Sequence, residues 1–102
     1  YDMILQDVAM LKLHVVFAVD RAGLVGEDGE THHGIFDVSF LSAIPNLCIF
    51  APATFASLDR FLRASASAGM PVVIRYPNMS EDARIAERTG GRVLTVENGV
   101  IR

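Results

Sequence analysis

The sequence lacks the features that mark a secreted, membrane-spanning or nucleic-acid-binding protein. Its single cysteine, Cys48, cannot form an internal disulfide, and its apolar surroundings predict a small core residue of an intracellular protein. The longest unbroken apolar runs, residues 15–19 and 47–51, are too short to cross a bilayer. The first residues contain no basic region followed by a long apolar stretch, so no signal peptide is predicted. A net charge of −3 argues against a surface for nucleic acid or anionic membranes.

What is present describes one compact domain. The chain has 102 residues, of which 51% are hydrophobic and 21% are charged, which excludes a disordered segment. A chain of this length buries roughly two thirds of its unfolded surface, so it can form a core without disulfides. Its basic residues are eight arginines and only Lys12. This bias has two interpretations, which are codon usage and bidentate recognition of phosphate by one or two of the arginines.

Apolar periodicity predicts alternating helices and strands. Residues 1–11 place Ile4, Val8 and Leu11 on one helical face, and because no capping residue precedes them we expect a piece of a longer protein. Short runs that are apolar on both faces are typical of buried parallel strands. Such runs are residues 15–19, 47–51 and 72–74.

Helix signals lie between and after these runs. Residues 36–44 predict a short helix that ends at Pro45, and Thr54 is the predicted N-cap of a second helix that ends by Gly69. The predicted core stripe of the second helix is Phe55, Leu58, Phe61 and Leu62. A third helix is predicted to begin at Ser80. The chain is predicted to close with a hairpin of residues 93–96 and 100–101.

This alternation predicts an α/β fold, a three-layer sandwich around a mainly parallel sheet. We expect residues 1–102 to form a single, partial domain with no internal linker or repeat. Ligands of open α/β sheets bind beyond the carboxyl ends of the strands. Arg21 and Arg75 follow two of the predicted strands at that edge. For Arg75 two interpretations remain open, which are anion binding and a salt bridge to a neighbouring helix.

The stretch between the first strand and the first short helix is the most informative part of the chain. Residues 20–34 contain four of the eight glycines, and a loop of this length in a small domain is uncommon unless it is functional. Asp28 and His32 lie four residues apart and could serve one site as carboxylate and general acid or base. The alternative is a solvated loop with surface histidines. A metal site from His32 and His33 is a weaker interpretation, because no spaced histidine or cysteine completes a ligand set.

The same loop carries a recognisable pattern. Residues 20–34 read DRAGLVGxDGxTHHG, and they are followed by Phe36-Asp37, Ile44-Pro45-Asn46, Ala51-Pro52 and Arg75-Tyr76-Pro77. This pattern closely resembles the 1-deoxy-D-xylulose-5-phosphate synthase family of transketolase-like thiamine diphosphate enzymes. The matching region is the central pyrimidine-binding domain. The resemblance is best over residues 1–77, and residues 78–102, with their predicted helix and hairpin, match weakly.

The resemblance implies a transferase that condenses pyruvate with glyceraldehyde 3-phosphate and releases carbon dioxide. By the family pattern, Arg21 and Arg75 hold the phosphate of the acceptor, while Asp28 and His32 are catalytic residues that contact the bound intermediate and help to move protons. The resemblance also implies thiamine diphosphate and Mg²⁺ in the full-length enzyme, which is expected to be a homodimer in the bacterial cytoplasm or a plant plastid.

No residue of this chain matches a principal cofactor or metal ligand of the family. We therefore expect the fragment to bind no cofactor or metal and to be inactive alone, with no nucleic-acid or membrane partner. Two alternatives remain open at this point. The chain could belong to another thiamine diphosphate enzyme, such as a transketolase or the β chain of a 2-oxo-acid dehydrogenase, or it could be a non-catalytic relic domain.

Overall fold

The computed structural model describes residues 1–84, 87, 95–97 and 100–101 and shows a five-stranded sheet. Its strands are β1 (Val16–Val19), β2 (Cys48–Phe50), β3 (Val72–Arg75), β4 (Thr95–Glu97) and β5 (Val100–Ile101). Their order is β1-β3-β2-β4-β5, in which β1 and β2 run parallel to β3. β4 pairs antiparallel with β2, and β5 pairs antiparallel with β4. The prediction of a mainly parallel sheet is therefore confirmed.

Helical segments cover both faces of this sheet. A π-helical segment, Ile4–Ala9, and helix α1 (Asp37–Leu41) pack on one face, where Val73 of β3 is fully buried. Helix α2 (Phe55–Ser65) packs on the other face, where Phe61 meets Val72 and Ile74. Successive residues of a strand point to opposite faces, so a central strand with helices on both sides must be apolar throughout. The three-layer arrangement is confirmed.

The N-terminus of α2 follows the sequence signal closely. The Thr54 hydroxyl oxygen accepts a hydrogen bond from the Ser57 backbone N–H at 3.1 Å, and the Ser57 hydroxyl accepts one from the Thr54 N–H at 3.1 Å. This reciprocal capping box satisfies backbone donors that the first turn of a helix otherwise leaves unpaired. After the helix, Gly69 adopts a φ of 64°, a conformation that favours glycine. The predicted cap is confirmed.

Several predictions about burial are wrong. Strand β1 is not buried on both faces, because it forms the edge of the sheet and leaves Val16 38% exposed. Leu11 is exposed rather than packed beside Ile4. In α2, Phe55 and Leu62 are also exposed, since the helix meets the sheet along a narrower stripe. That stripe consists of Leu58 and Phe61 with the small buried residues Ser57 and Ser65.

Of the last 18 residues, the structure describes only 87, 95–97 and 100–101. The helix predicted to begin at Ser80 begins at Ala83, and Arg84 and Glu87 are also helical, whereas residues 85–86 and 88–94 lie outside the described residues. The predicted hairpin is confirmed by the backbone pairing of Val96 with Ile101 and of Glu97 with Val100. Its turn, residues 98–99, lies outside the described residues. Within the described part of the chain, no helix combines the length and the apolar character needed to span a membrane.

Candidate functional site

The carboxyl ends of β1 and β3 bring Arg21 and Arg75 to one edge of the sheet. Val19 is in register with Arg75, and the backbone pairing continues beyond the strands. The Tyr76 N–H donates to the Val19 carbonyl at 2.9 Å, and the Ala22 N–H donates to the Tyr76 carbonyl at 3.0 Å. Because these bonds lead the chain directly out of the sheet, the loop after β1 starts from a fixed position.

Two glycines close the base of this loop. Gly23 and Gly34 exchange backbone hydrogen bonds of 2.9 and 2.8 Å, which joins the two ends of residues 23–34. A Cβ atom at Gly34 would lie 2.5 Å from the Arg21 carbonyl oxygen, so only glycine fits there. Arg21 itself has a φ of 55°, which is uncommon for a residue with a side chain. We call residues 23–34 the closed loop.

We expect Gly34→Ala to open the base of the closed loop and to lower the stability of the fold by about 1–3 kcal/mol, because a backbone atom must move to make room. Urea unfolding of the purified protein measures this change. Gly26→Ala is the matched control, since the space around Gly26 is open and its φ is not positive. A Gly34→Ala variant as stable as Gly26→Ala would contradict the tight approach to Arg21.

The two neighbouring histidines of the closed loop have different environments. His33 is half-buried, and its Nδ1 accepts a hydrogen bond from the Val25 N–H at 2.9 Å, which ties the two arms of the loop together. His32 is exposed, and its Nδ1 lies 2.9 Å from the Thr31 hydroxyl oxygen. If the Thr31 hydroxyl donates in this contact, the His32 proton is on Nε2. His33 therefore shapes the loop, whereas His32 has a ring nitrogen available to a ligand.

Arg21 and Asp28 line a common groove. Arg21 Nε lies 3.5 Å from Asp28 Oδ2, and the side chains of the two residues are 51% and 27% exposed. The groove has a volume of about 390 Å³ and is lined by Arg21, residues 24–28 and residues 77–79. We call it the rim groove. Because the ion pair is long and Arg21 is half-exposed, this guanidinium can still meet an anion in the groove.

Arg75 is held much more tightly than Arg21. Its Nε donates to Asp37 Oδ2 at 2.6 Å and its Nη2 donates to Asp37 Oδ1 at 3.2 Å. Nη2 also donates to the Gly34 carbonyl at 3.3 Å. The Arg75 and Asp37 side chains are 20% and 10% exposed. This is the salt bridge to a neighbouring helix that the sequence left open as one interpretation of Arg75.

The structure therefore brings together some of the predicted site residues and separates others. Arg21 and Asp28 share the rim groove, but Arg75 and His32 do not line it. Asp28 pairs with Arg21 rather than with His32, whose Nδ1 contacts the Thr31 hydroxyl. The sequence analysis assigned no role to Asp37, the ion-pair partner of Arg75. Its place in the first turn of a predicted helix is only a weak signal for such a partner. A buried partner for Arg75 could be found only from the contact itself.

The described residues contain no group of three or more histidines, cysteines or acidic residues placed to hold a metal ion. Two carboxylates near this edge, those of Asp28 and Asp37, each lie against an arginine. A diphosphate bound through Mg²⁺ needs free oxygen ligands for the metal. The donor set of this edge thus does not fit thiamine diphosphate and its metal ion without further residues.

Comparison with known proteins gives the family. The family described as the transketolase pyrimidine binding domain matches residues 1–81. The chain belongs to this family. The match covers all of the closed loop, the rim groove and the Arg75–Asp37 ion pair. A pyrimidine-binding domain of the transketolase type is a component of thiamine diphosphate-dependent enzymes, and the parallel sheet described above agrees with its fold.

Individual relatives carry one name. The 1-deoxy-D-xylulose-5-phosphate synthase of Clostridium acetobutylicum is 50% identical over 82 residues, covering 80% of this chain and 13% of that protein. The synthase of Syntrophomonas wolfei is 57% identical over 86 residues, covering 83% and 14%. That of Caldanaerobacter subterraneus is 56% identical over 77 residues, covering 76% and 12%. The chain thus spans only 12–14% of the length of these curated relatives.

Proposed function

We propose that this chain is the part of a 1-deoxy-D-xylulose-5-phosphate synthase that receives the acceptor substrate. The complete enzyme is a transferase that joins pyruvate to glyceraldehyde 3-phosphate with loss of carbon dioxide and forms 1-deoxy-D-xylulose 5-phosphate. The observation that carries the proposal is the position of Arg21, which is half-exposed on the rim groove beyond the carboxyl end of β1. In open α/β sheets this edge is where ligands bind.

Arg21 supplies the main positive charge for the phosphate of the acceptor. A guanidinium carries a permanent charge and can bond two phosphate oxygens at once. Asp28 lies close enough to orient Arg21 Nε, and the remaining guanidinium nitrogens stay available for an anion. We further propose that Asp28 accepts a hydrogen bond from a hydroxyl of the acceptor. The phosphate would then contact Arg21 and the hydroxyl would contact Asp28, which fixes the orientation of the substrate.

Arg75 contributes a second phosphate contact through the nitrogen that its ion pair leaves over. Asp37 and Gly34 occupy Nε and Nη2, so Nη1 is the nitrogen without a hydrogen-bond partner in the described part of the chain. Because Asp37 already balances the charge of Arg75, we assign the larger share of phosphate binding to Arg21. His32 acts as the general acid in its imidazolium form: Nε2 gives its proton to the aldehyde oxygen of the acceptor as it becomes an alkoxide, Nδ1–H donates to the Thr31 hydroxyl oxygen, and the ring is left as a neutral imidazole.

The remaining parts of the synthase would supply the cofactor site. Thiamine diphosphate provides the carbanion chemistry of such enzymes when it is bound. Since the donor set at this edge of the sheet does not fit the cofactor and Mg²⁺, we propose that this chain provides only the acceptor side of the site. We also propose a homodimeric enzyme in the bacterial cytoplasm, or in a plastid for a plant protein, which serves isoprenoid precursor, thiamine and pyridoxal synthesis.

The experiment that tests this proposal compares two acceptors in a full-length synthase that carries this segment. We expect Arg21→Ala to lower kcat/KM for glyceraldehyde 3-phosphate by about 10- to 200-fold, because hydrogen bonds to charged groups contribute about 1.5–3 kcal/mol. The value for unphosphorylated glyceraldehyde should change little, since this aldehyde offers no phosphate. Arg21→Lys should restore only part of the loss, because a single ammonium cannot form the forked contact.

Arg63→Ala is the matched control, because Arg63 is an exposed arginine on α2 and, among the described residues, pairs with Asp59 of the same helix. It should leave both acceptors unaffected. Equal losses of kcat/KM for the two acceptors in Arg21→Ala would show that Arg21 supports the fold rather than the phosphate, and the proposed function would lose its main support.

A further inference from the structure

We propose that Asp37 is a positioning residue for the acceptor phosphate, which acts by fixing the orientation of the Arg75 guanidinium. The inference rests on the proposed function, because it assigns to Asp37 a task in the site where Arg75 contacts phosphate. The observation behind it is the side-on pairing of the two residues. Asp37 receives hydrogen bonds from both Nε and Nη2 of Arg75, at 2.6 and 3.2 Å.

This pairing removes the rotational freedom of the guanidinium. An arginine side chain has several rotatable bonds, and in water its planar head turns freely. Here one carboxylate engages both nitrogens on one edge of the plane, and the Gly34 carbonyl receives a further bond from Nη2 at 3.3 Å. The guanidinium cannot turn without losing at least two of these three bonds. The edge that carries Nη1 is therefore the only one left to meet a ligand.

The position of Asp37 makes this constraint rigid. Asp37 is in the first turn of α1, which packs on the sheet through the buried Leu41, and its own side chain is 10% exposed. Negative charge is also favourable near a helix N-terminus. Arg75 is the last residue of β3, whose other residues are fully or almost fully buried. Asp37 and Arg75 thus belong to packed elements, and neither backbone can move to restore the contact if the ion pair is broken.

The same ion pair reaches the closed loop. The Gly34 carbonyl accepts from Arg75 Nη2 and also from the Gly23 N–H at 2.9 Å. Both hydrogen-bonding directions of this oxygen are occupied, so Arg75 is connected to the base of the loop that carries Asp28 and His32. A displacement of Arg75 would therefore move a phosphate contact and loosen a link to the loop.

The test is a double-mutant cycle in the full-length synthase, with Asp37→Asn, Arg75→Lys and the two changes combined. Asparagine keeps the size of the side chain but replaces one acceptor oxygen with an amide nitrogen that cannot accept from Arg75. We expect Asp37→Asn to raise KM for glyceraldehyde 3-phosphate by about tenfold or more. The KM for unphosphorylated glyceraldehyde and the kcat for either acceptor should change less than about threefold, because a change that alters only a phosphate contact acts mainly on binding.

The cycle distinguishes positioning from a general structural role. In the Arg75→Lys background the two-nitrogen contact with Asp37 is already lost. If Asp37 acts through Arg75, Asp37→Asn should therefore add almost nothing to the KM of that variant. Fully additive effects on KM would overturn the proposal. So would equal changes of both acceptors in the single variant. Asp59→Asn, which breaks the exposed pair with Arg63, is the control and should leave all four constants unchanged.

Hydrogen exchange of the same variants keeps the test decisive if Asp37→Asn lowers the yield of folded enzyme. We expect faster exchange at the amides of Gly23 and Gly34 in Asp37→Asn and unchanged exchange in α2. Protection equal to that of the unchanged enzyme would show that Arg75 stays in place without the Asp37 carboxylate, and would overturn the inference. Arg21→Ala separates the two proposals, since its selective loss of the phosphorylated acceptor supports the proposed function whether or not Asp37 positions Arg75.

Discussion

Replacing His32 by alanine in a full-length synthase is expected to lower kcat by about 10²- to 10⁴-fold, the usual contribution of a general acid or base. The imidazole is needed when negative charge develops on the aldehyde oxygen, so the loss should fall on turnover and much less on the affinity for pyruvate. Steady-state kinetics with each substrate varied in turn measure this difference. A loss of less than about tenfold in kcat would reject direct proton transfer by His32.

The neighbouring histidine provides the control. In His33→Asn the amide oxygen of asparagine can replace Nδ1 as the acceptor for the Val25 N–H, so the closed loop should keep its shape. We expect this variant to retain most of kcat. His33→Ala removes the acceptor and should destabilise the loop. If His33→Asn lowered kcat more than His32→Ala, the general acid would be His33 and the assignment would have to be exchanged.

Replacing Arg75 by alanine is expected to lower the free energy of unfolding by about 3–5 kcal/mol. The large effect comes from the Asp37 carboxylate, which would stay buried and lose its partner, and much less from the bonds themselves. Urea unfolding of the purified protein measures the change. The double variant Arg75→Ala with Asp37→Ala should recover part of the loss, because it leaves no unpaired charge behind.

The exposed ion pair of α2 is the comparison for this prediction. Arg63 Nε donates to Asp59 Oδ2 at 2.8 Å, and this hydrogen bond lowers the pKa of Asp59. A lowered carboxyl pKa gives a contribution to stability that is present above the ordinary pKa of aspartate and is lost as the pH falls through the folded value. Both side chains are largely exposed, so water screens the pair and Arg63→Ala should change the free energy of unfolding far less than Arg75→Ala does. If Arg75→Ala were as stable as Arg63→Ala, the Arg75–Asp37 pair would not stabilise the fold as predicted.

These two predictions also explain why Arg21 is the better probe of function. Arg75→Ala combines the loss of the proposed phosphate contact with a large decrease in stability, so kcat/KM for both acceptors is expected to fall in that variant. Arg21 is half-exposed and pairs with Asp28 at 3.5 Å, and its removal leaves a carboxylate that water can reach. The acceptor comparison in Arg21→Ala therefore reports on phosphate binding with little interference from folding.

The sequence predicted those features that depend on neighbouring residues. The N-cap of α2 at Thr54 depends only on residues close by in the sequence, and the strands β2 and β3 follow from short apolar runs. The closed loop was visible as a long glycine-rich segment without an apolar period, and its only regular element among the described residues is the short 3-10 helix Glu30–His32. The position of Arg21 and Arg75 after parallel strands placed both residues at one edge of the sheet before any contact was known.

Contacts between distant parts of the chain had to come from the tertiary structure. β1 is apolar enough for a central strand, but the strand order β1-β3-β2 places it at the edge, and no local pattern encodes that order. The exposure of Phe55 and Leu62 likewise depends on how α2 is rotated against the sheet.

The sequence alone was enough to propose Arg21 and Arg75 as phosphate ligands, whereas the fold determines which carboxylate each arginine pairs with. Arg21 and Arg75 look alike along the chain, since each follows an apolar strand. Only the fold gives Arg21 a long, half-exposed pair with Asp28 and gives Arg75 a short, buried pair with Asp37, 38 positions away. The reason is physical, because the strength of an ion pair depends on the distance between the charges and on their burial. Neither quantity can be read from the spacing of residues along the chain.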